Sequence, residues 1–143
     1  MSKLEVIGPV AKTSFPKLGL KKIPARVDTG AKISAIWASA IKEKNGVLRF
    51  TLFAPSSPQY TGVIYQTNEY EEVKVKSTTG RIEDRYMIKL LAEVNGRKVN
   101  ASFTLANRSR QVYPILIGRN ILRGKFVVDI KHKKTTKSKK RTK

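Results

Sequence analysis

Two Asn-Gly dipeptides, at residues 45–46 and 95–96, constrain the fold of this 143-residue chain more than any other feature. Asn-Gly is the strongest short-range signal for a two-residue β-hairpin turn, because both residues tolerate the positive φ angles that such a turn needs. The runs that follow, residues 47–53 and 99–105, are rich in apolar and β-branched side chains. The sequence therefore predicts two hairpins in a fold made mostly of β-strands.

Most other regular segments are also short and separated by turns. We predict strands at residues 6–11, 18–27, 72–77, 81–91, 113–117 and 125–130, a short helix at 119–123 and a loop over 54–67. Residues 33–42 fit either a helical stripe or strand alternation, and their β-rich surroundings favour a strand. Turns at this spacing are typical of a β-barrel or a β-sandwich.

Length and composition limit the class of protein. A chain of 143 residues is most simply one domain with its own core, and no apolar run approaches the roughly 20 residues that span a bilayer. The first residues lack the apolar segment of a secretory signal, and the absence of cysteine rules out disulfide and thiolate chemistry. We therefore expect a cytoplasmic domain over residues 1–130 that does not enter a membrane.

Charge is the unusual property of the composition. Thirty Lys and Arg against ten Asp and Glu give a net charge of +20, and the tail from Lys131 to Lys143 holds eight of the basic residues and no acidic one. The first 130 residues still carry a net charge of +12, so the whole chain should attract polyanions such as RNA or acidic peptides. For the tail, residues 131–143, two interpretations stand side by side: a disordered solubilising extension, or a contact to RNA or the ribosome.

An Asp-Thr-Gly triplet at residues 28–30 is the candidate catalytic site. A carboxylate that activates water must be held in a fixed orientation and partly screened from solvent. The strand ending at Val27 would deliver Asp28 where the chain turns, and Gly30, which has no Cβ, lets its backbone N–H approach the carboxylate. The Thr29 hydroxyl could tie the loop to a neighbouring segment, and Ser34 could either add a hydrogen bond or lie on the surface.

This chemistry needs a second carboxylate. Two carboxylates in contact share one proton, so that one acts as base and the other as acid. The only other aspartates are Asp84 and Asp129, and neither lies in an Asp-Thr-Gly triplet. A two-fold homodimer would place Asp28 beside its symmetry mate. The catalytic hypothesis therefore requires a homodimer.

A second motif follows 90 residues after the triplet, where residues 114–122 read Pro-Ile-Leu-Ile-Gly-Arg-Asn-Ile-Leu. The two motifs together resemble the signature segments of retropepsin-type aspartic peptidases. More narrowly, segments 26–35, 80–86, 105–108, 113–119 and 126–129 resemble a bacterial retropepsin-like family often labelled ATP-dependent zinc proteases. The resemblance covers roughly residues 5–131 and implies a single-domain, mostly-β, closed acid-protease barrel with one short C-terminal helix.

The resemblance also implies roles for individual positions. Asp28 would be catalytic, with Thr29 and Gly30 completing its loop, and the segment Ser77, Thr78, Thr79 and Gly80 would form a mobile flap over the substrate. Residues that would support the site are Ala31, Ser34, Gly118, Arg119 and Asn120. Retropepsins usually carry an acidic residue after Asp-Thr-Gly-Ala that pairs with this arginine.

Here that position is Lys32, which removes the expected ion pair. Lys32 is therefore a candidate for binding acidic substrate. Members of this family also resemble enzymes found beside ligases that add glutamate tails to a ribosomal protein, so trimming of acidic tails is one hypothesis for the activity.

The residues give little support for a catalytic metal site or for a nucleotide-binding site. A catalytic zinc site usually combines several His, Cys or acidic ligands, but this chain has no cysteine and one histidine, His132, in the basic tail. It also lacks the Gly-x-x-x-x-Gly-Lys phosphate loop. We therefore expect no metal and no cofactor.

Two further functional alternatives remain, and both are non-catalytic. The chain could be a basic module that binds RNA or the ribosome, or a catalytically silent dimer that binds acidic peptides. Arg85, Arg108 and Arg110 are additional candidates for the cleft, although in so basic a chain a solvated arginine is the more common case. Trp37 is expected in the core, and Tyr60, Tyr65 and Tyr70 could serve either binding or packing.

Overall fold

The computed structural model describes residues 3–77 and 79–131. This part of the chain contains eleven strands: β1 Glu5–Ile7, β2 Val10–Phe15, β3 Leu20–Val27, β4 Ser34–Lys44, β5 Val47–Leu52, β6 Ile64–Thr67, β7 Glu71–Lys76, β8 Ile82–Val94, β9 Arg97–Ala106, β10 Ile115–Ile117 and β11 Phe126–Val128. Its one α-helix, α1, spans Arg119–Leu122, and a 3₁₀ turn spans Pro16–Leu18. The prediction of a mostly-β domain with one short helix near the C-terminal end is confirmed.

Both Asn-Gly dipeptides form the predicted hairpin turns. Asn45 and Gly46 have φ angles of 53° and 75°, and they join the antiparallel strands β4 and β5. Asn95 and Gly96, at 50° and 86°, join β8 and β9 in the same way. Two consecutive positive φ angles define the turn whose twist matches that of the flanking strands.

Three segments refine or correct the prediction. Of residues 33–42, which fitted two patterns, all but Ile33 belong to strand β4, because β4 pairs with β9 and β10 along its first half. The run over residues 6–11 is divided at Gly8 and Pro9 into β1 and β2. The predicted loop over residues 54–67 is too long, because its last four residues form the edge strand β6, which pairs with β5.

Nine strands form one sheet in the order β10-β3-β2-β8-β9-β4-β5-β6, with β7 pairing on β8. β10 pairs with β3 in parallel and also with β4 in antiparallel orientation. The pairings from β10 through β3, β2, β8, β9 and β4 therefore lead back to β10. β1 and β11 form a separate parallel pair.

The core lies among these strands and α1. Trp37 is buried, as predicted. The largest completely buried apolar side chains are Phe15, Phe53, Phe103, Ile7, Ile36, Leu48, Ile115, Ile117, Ile121 and Val94. Within the described ranges, no helix has the length and apolar character needed to cross a bilayer.

The predicted tail lies outside the described residues except for Lys131, so its disorder remains a prediction.

Candidate active site

Strand β10 fixes the loop that carries Asp28. β10 lies between β3 and β4, so the loop that connects β3 to β4, residues 28–33, passes over the end of β10. The Asp28 N–H donates to the Ile117 carbonyl across 2.9 Å. On the far side of the loop, the N–H of Arg119 donates to Ala31 at 2.8 Å and that of Asn120 donates to Lys32 at 3.2 Å. The loop is thus held at one end by β10 itself and at the other by the segment that follows β10.

The Asp28 carboxylate is oriented by its own loop. β3 ends at Val27, so Asp28 is the first residue beyond the strand, as predicted, and it is half-buried. The Gly30 N–H donates to Asp28 Oδ1 across 2.9 Å. A Cβ atom on residue 30 would lie 3.2 Å from the same oxygen, which is tighter than an ordinary contact. The approach of the Gly30 amide that the sequence predicted is present, and it holds one carboxylate oxygen in place.

Arg119 secures the loop without an acidic partner. Its Nη1 atom donates to the Thr29 carbonyl at 3.0 Å. Lys32, in place of an acidic residue, is exposed. Thr29 is also exposed, and among the described residues its hydroxyl makes no hydrogen bond. The arginine therefore acts through the backbone of the loop, whereas the tie that we expected from the Thr29 hydroxyl is absent from this part of the chain.

Ser34 is the buried centre of a hydrogen-bond network below the loop. The Gly118 N–H donates to Ser34 Oγ at 2.9 Å, and this hydroxyl in turn donates to Asn120 Oδ1 at 2.8 Å. Asn120 Oδ1 also accepts from the Ser34 N–H at 2.9 Å, and Asn120 Nδ2 donates to the carbonyl of Ser102 on β9. Ser34 is completely buried, so of its two predicted roles the structure has the hydrogen-bonding one.

Gly118 is required by close packing. An added Cβ would lie 2.9 Å from both the Ala31 carbonyl oxygen and the Ile33 carbonyl carbon, and both are backbone atoms. The Asp28 loop can therefore cross β10 at this height only because residue 118 has no side chain.

The predicted flap is a hairpin made by β7 and β8. Its register runs from Glu71 opposite Met87 to Lys76 opposite Ile82. At the tip, the Ser77 N–H donates to Arg81 at 2.7 Å, the Gly80 N–H donates to Ser77, and the Ser77 and Thr79 hydroxyls are 2.8 Å apart. Thr78 lies outside the described residues. The predicted flap segment is therefore the end of a two-stranded arm formed by β7 and the first half of β8, which we call the flap arm. Its role as a cover remains a prediction.

The charges of two other arginines and of Asp28 act on Arg108. The Arg108 side chain comes from the segment after β9 and is only 9% exposed, with Nε donating to the Tyr113 carbonyl at 3.0 Å. Burial lowers the pKa of Arg108, the charges of Arg85 and Arg26 lower that pKa further, and the charge of Asp28 opposes this shift. On the sequence, Arg108 was one of three arginine candidates for the cleft, and its burial comes from the fold. Arg110, the third arginine candidate, is exposed.

The other cavities and clusters lie elsewhere. A concavity of about 500 Å³ opens between β6, β7 and β8, and its described lining includes Leu18, Phe50, Tyr65, Tyr70 and Met87 but no residue of the Asp28 loop. There Tyr65 stacks on Phe50 and Tyr70 meets Tyr86 edge to face, so both tyrosines pack on neighbouring rings while they line the concavity. Over residues 3–77 and 79–131, no three His, Cys, Asp or Glu side chains are grouped to hold a metal ion.

Comparison with known proteins agrees with this geometry. Residues 6–139 match the family described as retropepsin-like aspartic endopeptidase RimB. The chain belongs to this family. The match covers the Asp28 loop, the flap hairpin and the segment around Gly118.

Individual relatives carry other names. A protein named probable alpha-L-glutamate ligase from Shewanella halifaxensis is 31% identical over 128 residues, which is 87% of this chain but 28% of the relative. A relative of the same name from Desulfotalea psychrophila is 30% identical, again over 28% of its length. The chain thus spans little more than a quarter of these relatives. A crystal structure of a Legionella pneumophila protein of unknown function has a TM-score of 0.69 and 30% identity, covering 94% of this chain and all of the other.

Replacing Ser34 with alanine should destabilise the site. The Gly118 N–H would lose its acceptor in a buried position, which costs about 1–3 kcal/mol of the free energy of unfolding. Urea denaturation measures this change. Ser39→Ala is the matched control, because Ser39 lies on the same strand and donates one hydrogen bond to the Phe53 carbonyl, away from the loop. Equal losses in the two variants would contradict a special role for Ser34.

Proposed function

We propose that this protein is an aspartic peptidase that hydrolyses peptide bonds as a homodimer, with acidic peptides as its substrates. The observation that carries the proposal is the fixed Asp28 loop. Its carboxylate is held by the Gly30 amide, and the loop is tied to β10, Arg119 and Asn120 by four further hydrogen bonds. This is the orientation that a carboxylate needs in order to act on a bound water.

The reaction follows from a pair of such carboxylates. The ionised Asp28 accepts a proton from water as the water oxygen attacks the carbonyl carbon of the peptide, while the protonated Asp28 donates its proton to the carbonyl oxygen. In the resulting tetrahedral intermediate, the Asp28 that accepted the proton from water passes it to the amide nitrogen as the C–N bond breaks. The other Asp28, now ionised, takes a hydroxyl proton as the carbonyl group of the new acid forms. No metal and no cofactor enter this scheme.

The second Asp28 would come from a partner copy. In the described part of the protomer, Asp84 forms an ion pair with Lys74 on the flap arm, and Asp129 follows β11. Neither is among the groups whose charges act on Arg108. We propose a two-fold homodimer with the Asp28 loops at its axis, and a closed barrel as the form of each protomer, supported by the pairings that lead back to β10.

Acidic substrates are favoured by charge. Lys32 is exposed beside the loop, and the first 130 residues carry a net charge of +12. Relatives that contain a segment like this chain are named probable alpha-L-glutamate ligase, which supports a connection with glutamate chemistry. Trimming of glutamate-rich peptides is the activity that combines these observations with the family.

The alternative function is a non-catalytic basic module that binds RNA, the ribosome or acidic peptides. The observation in its favour is the run of eight basic residues from Lys131 to Lys143. Such a run would neutralise phosphates without reading sequence.

Replacing Asp28 with asparagine tests catalysis. We expect Asp28→Asn to lower the rate of cleavage of a glutamate-rich peptide by about 10²–10⁴-fold, because the amide cannot act as base or acid. The Asn oxygen can still accept the Gly30 N–H, so the melting temperature and the sedimentation coefficient should remain those of the unchanged protein. Cleavage that persists in this variant would contradict the proposal, as would a protein that stays monomeric while active.

Removing residues 131–143 separates the two functions. We expect the shortened protein to bind a single-stranded RNA more weakly and with a smaller dependence on salt, because up to eight phosphate contacts are lost. Its rate of peptide cleavage should remain unchanged. Fluorescence anisotropy at two salt concentrations measures the first effect. If removal of the tail abolished cleavage and left RNA binding intact, this division of roles would be wrong.

A further inference from the structure

Arg108 is a buried cation that the proposed chemistry does not use. Its side chain is anchored by one hydrogen bond, from Nε to the Tyr113 carbonyl. Among the described residues, neither Nη atom makes a hydrogen bond. Both Nη atoms also keep some contact with solvent. In the described part of the chain, the side-chain N and O atoms that are both fully buried and without a hydrogen bond are Thr13 Oγ1 and Asn95 Nδ2, and no atom of Arg108 is among them. Arg108 therefore presents the outer edge of its guanidinium group to solvent from an otherwise buried position.

Arg85 on β8 is connected to the residues below the Asp28 loop. Its Nη1 atom is 3.3 Å from Thr104 Oγ1, which is buried on β9. Thr104 in turn donates to the Ser34 carbonyl at 3.4 Å, below the Asp28 loop. The Arg85 side chain is 19% exposed, so this second guanidinium group is also drawn toward the interior.

Arg85 already forms an ion pair with the carboxylate of Glu83. Glu83 Oε1 accepts from Arg85 Nε at 3.1 Å and from Nη2 at 2.9 Å, so one edge of the guanidinium is filled. Glu83 lies two residues before Arg85 on the same strand and therefore on the same face of the flap arm. Its own side chain is 53% exposed. An ion pair with one solvated partner is weak, about 0–1 kcal/mol, and can exchange.

The charges around these residues are unbalanced. Arg26 and Arg85 act on Arg108 as like charges, and Asp28 is the one acidic group among the influences on Arg108. Asp28 is only half-buried and its Oδ1 is already bonded to Gly30. The exposed Arg26 and the two largely buried cations Arg85 and Arg108 thus outnumber this one carboxylate, so an additional anion would be strongly attracted.

We propose that Arg85 and Arg108 form a subsite that binds a side-chain carboxylate of the substrate next to Asp28, and that Glu83 is an internal competitor which an acidic substrate displaces from Arg85. This subsite rests on the proposed peptidase function. Its two arginines would set the preference of the peptidase for acidic side chains in the substrate. The planar guanidinium group suits a carboxylate because it offers parallel donors to both oxygens. Glu83 on Arg85 is an example of the contact that the substrate would make.

Binding can be measured apart from catalysis. All variants are made in the Asp28→Asn protein, and the dissociation constants of a hexaglutamate peptide and of its hexaglutamine counterpart are determined by calorimetry. Arg108→Gln should weaken binding of hexaglutamate by about 10-fold or more, because charge-assisted hydrogen bonds are lost. Binding of hexaglutamine should not change.

Replacing Glu83 should have the opposite effect. Glu83→Gln releases Arg85 and should tighten binding of hexaglutamate by about two- to fivefold, the factor that corresponds to an exposed ion pair. Glu83 is exposed, so this variant should fold normally and decides the question even if Arg108→Gln proves unstable. Arg108→Lys, which keeps the charge but not the planar group, should give an intermediate affinity.

Two control variants carry the same changes in charge at other places. Arg49→Gln removes a cation that bonds Gln66 on the β5–β6 edge, and Asp84→Asn removes an acid from β8 next to Glu83 but on the opposite face. Both should leave the two dissociation constants unchanged. If they reproduce the effects of Arg108→Gln and Glu83→Gln, net charge alone explains binding and the subsite is refuted. The subsite is also refuted if Glu83→Gln weakens the binding of hexaglutamate or leaves it unchanged.

Cleavage assays on proteins that retain Asp28 separate this inference from the proposed function. If the binding effects are seen but no peptide is cleaved, the subsite stands and the peptidase function fails. If both peptides are cleaved with equal kcat/KM, the peptidase function stands and the subsite fails.

Discussion

The insertion of β10 between β3 and β4 is the constraint on which the candidate site depends. A short strand that pairs with both neighbours forces the connection between them to cross over its end. The crossing chain is close enough for Asp28 to bond Ile117 and for Arg119 to bond Ala31. It is also so close that residue 118 must be glycine, since a Cβ atom would meet the backbone at 2.9 Å. The position of the carboxylate is therefore set by main-chain pairing and not by the packing of its own side chain.

Charge has two separate origins in this chain, and they have different consequences. The tail and the exposed lysines are solvated and act at long range, so salt weakens their effect. Arg108 and Arg85 are largely removed from solvent, where screening is weaker and a like charge is felt more strongly. The lowered pKa of Arg108 reflects this burial first and its cationic neighbours second. The net charge of +20 reflects the many exposed basic residues, but it does not reveal that Arg85 and Arg108 are largely buried.

Local signals in the sequence predicted those parts of the fold that local chemistry decides. Asn45-Gly46 and Asn95-Gly96 specify their turns by backbone preference alone, and the Asp-Thr-Gly loop with Gly118 was recognisable from its two motifs. Edge strand β6 was missed because only its pairing with β5 makes it a strand. The ambiguity of residues 33–42 was resolved by parallel pairing with β9, a contact between residues about 70 positions apart. Arg85, Arg108 and Arg110 were equal candidates for the cleft on the sequence, because the burial that separates Arg108 from the exposed Arg110 depends on the fold.

Under the proposed function, one protomer would supply only half of a catalytic site. The β3–β10–β4 arrangement can orient one carboxylate, and the described protomer brings no second aspartate into the Asp28 loop. A two-fold axis through this loop would bring two aspartates together, but it would also bring two sets of Arg26, Arg85 and Arg108 near each other. Like charges in a partly desolvated region repel at short range, where salt screens them least. Assembly and the binding of an anionic substrate would then favour one another, because a carboxylate on each arginine pair removes the repulsion that opposes the dimer.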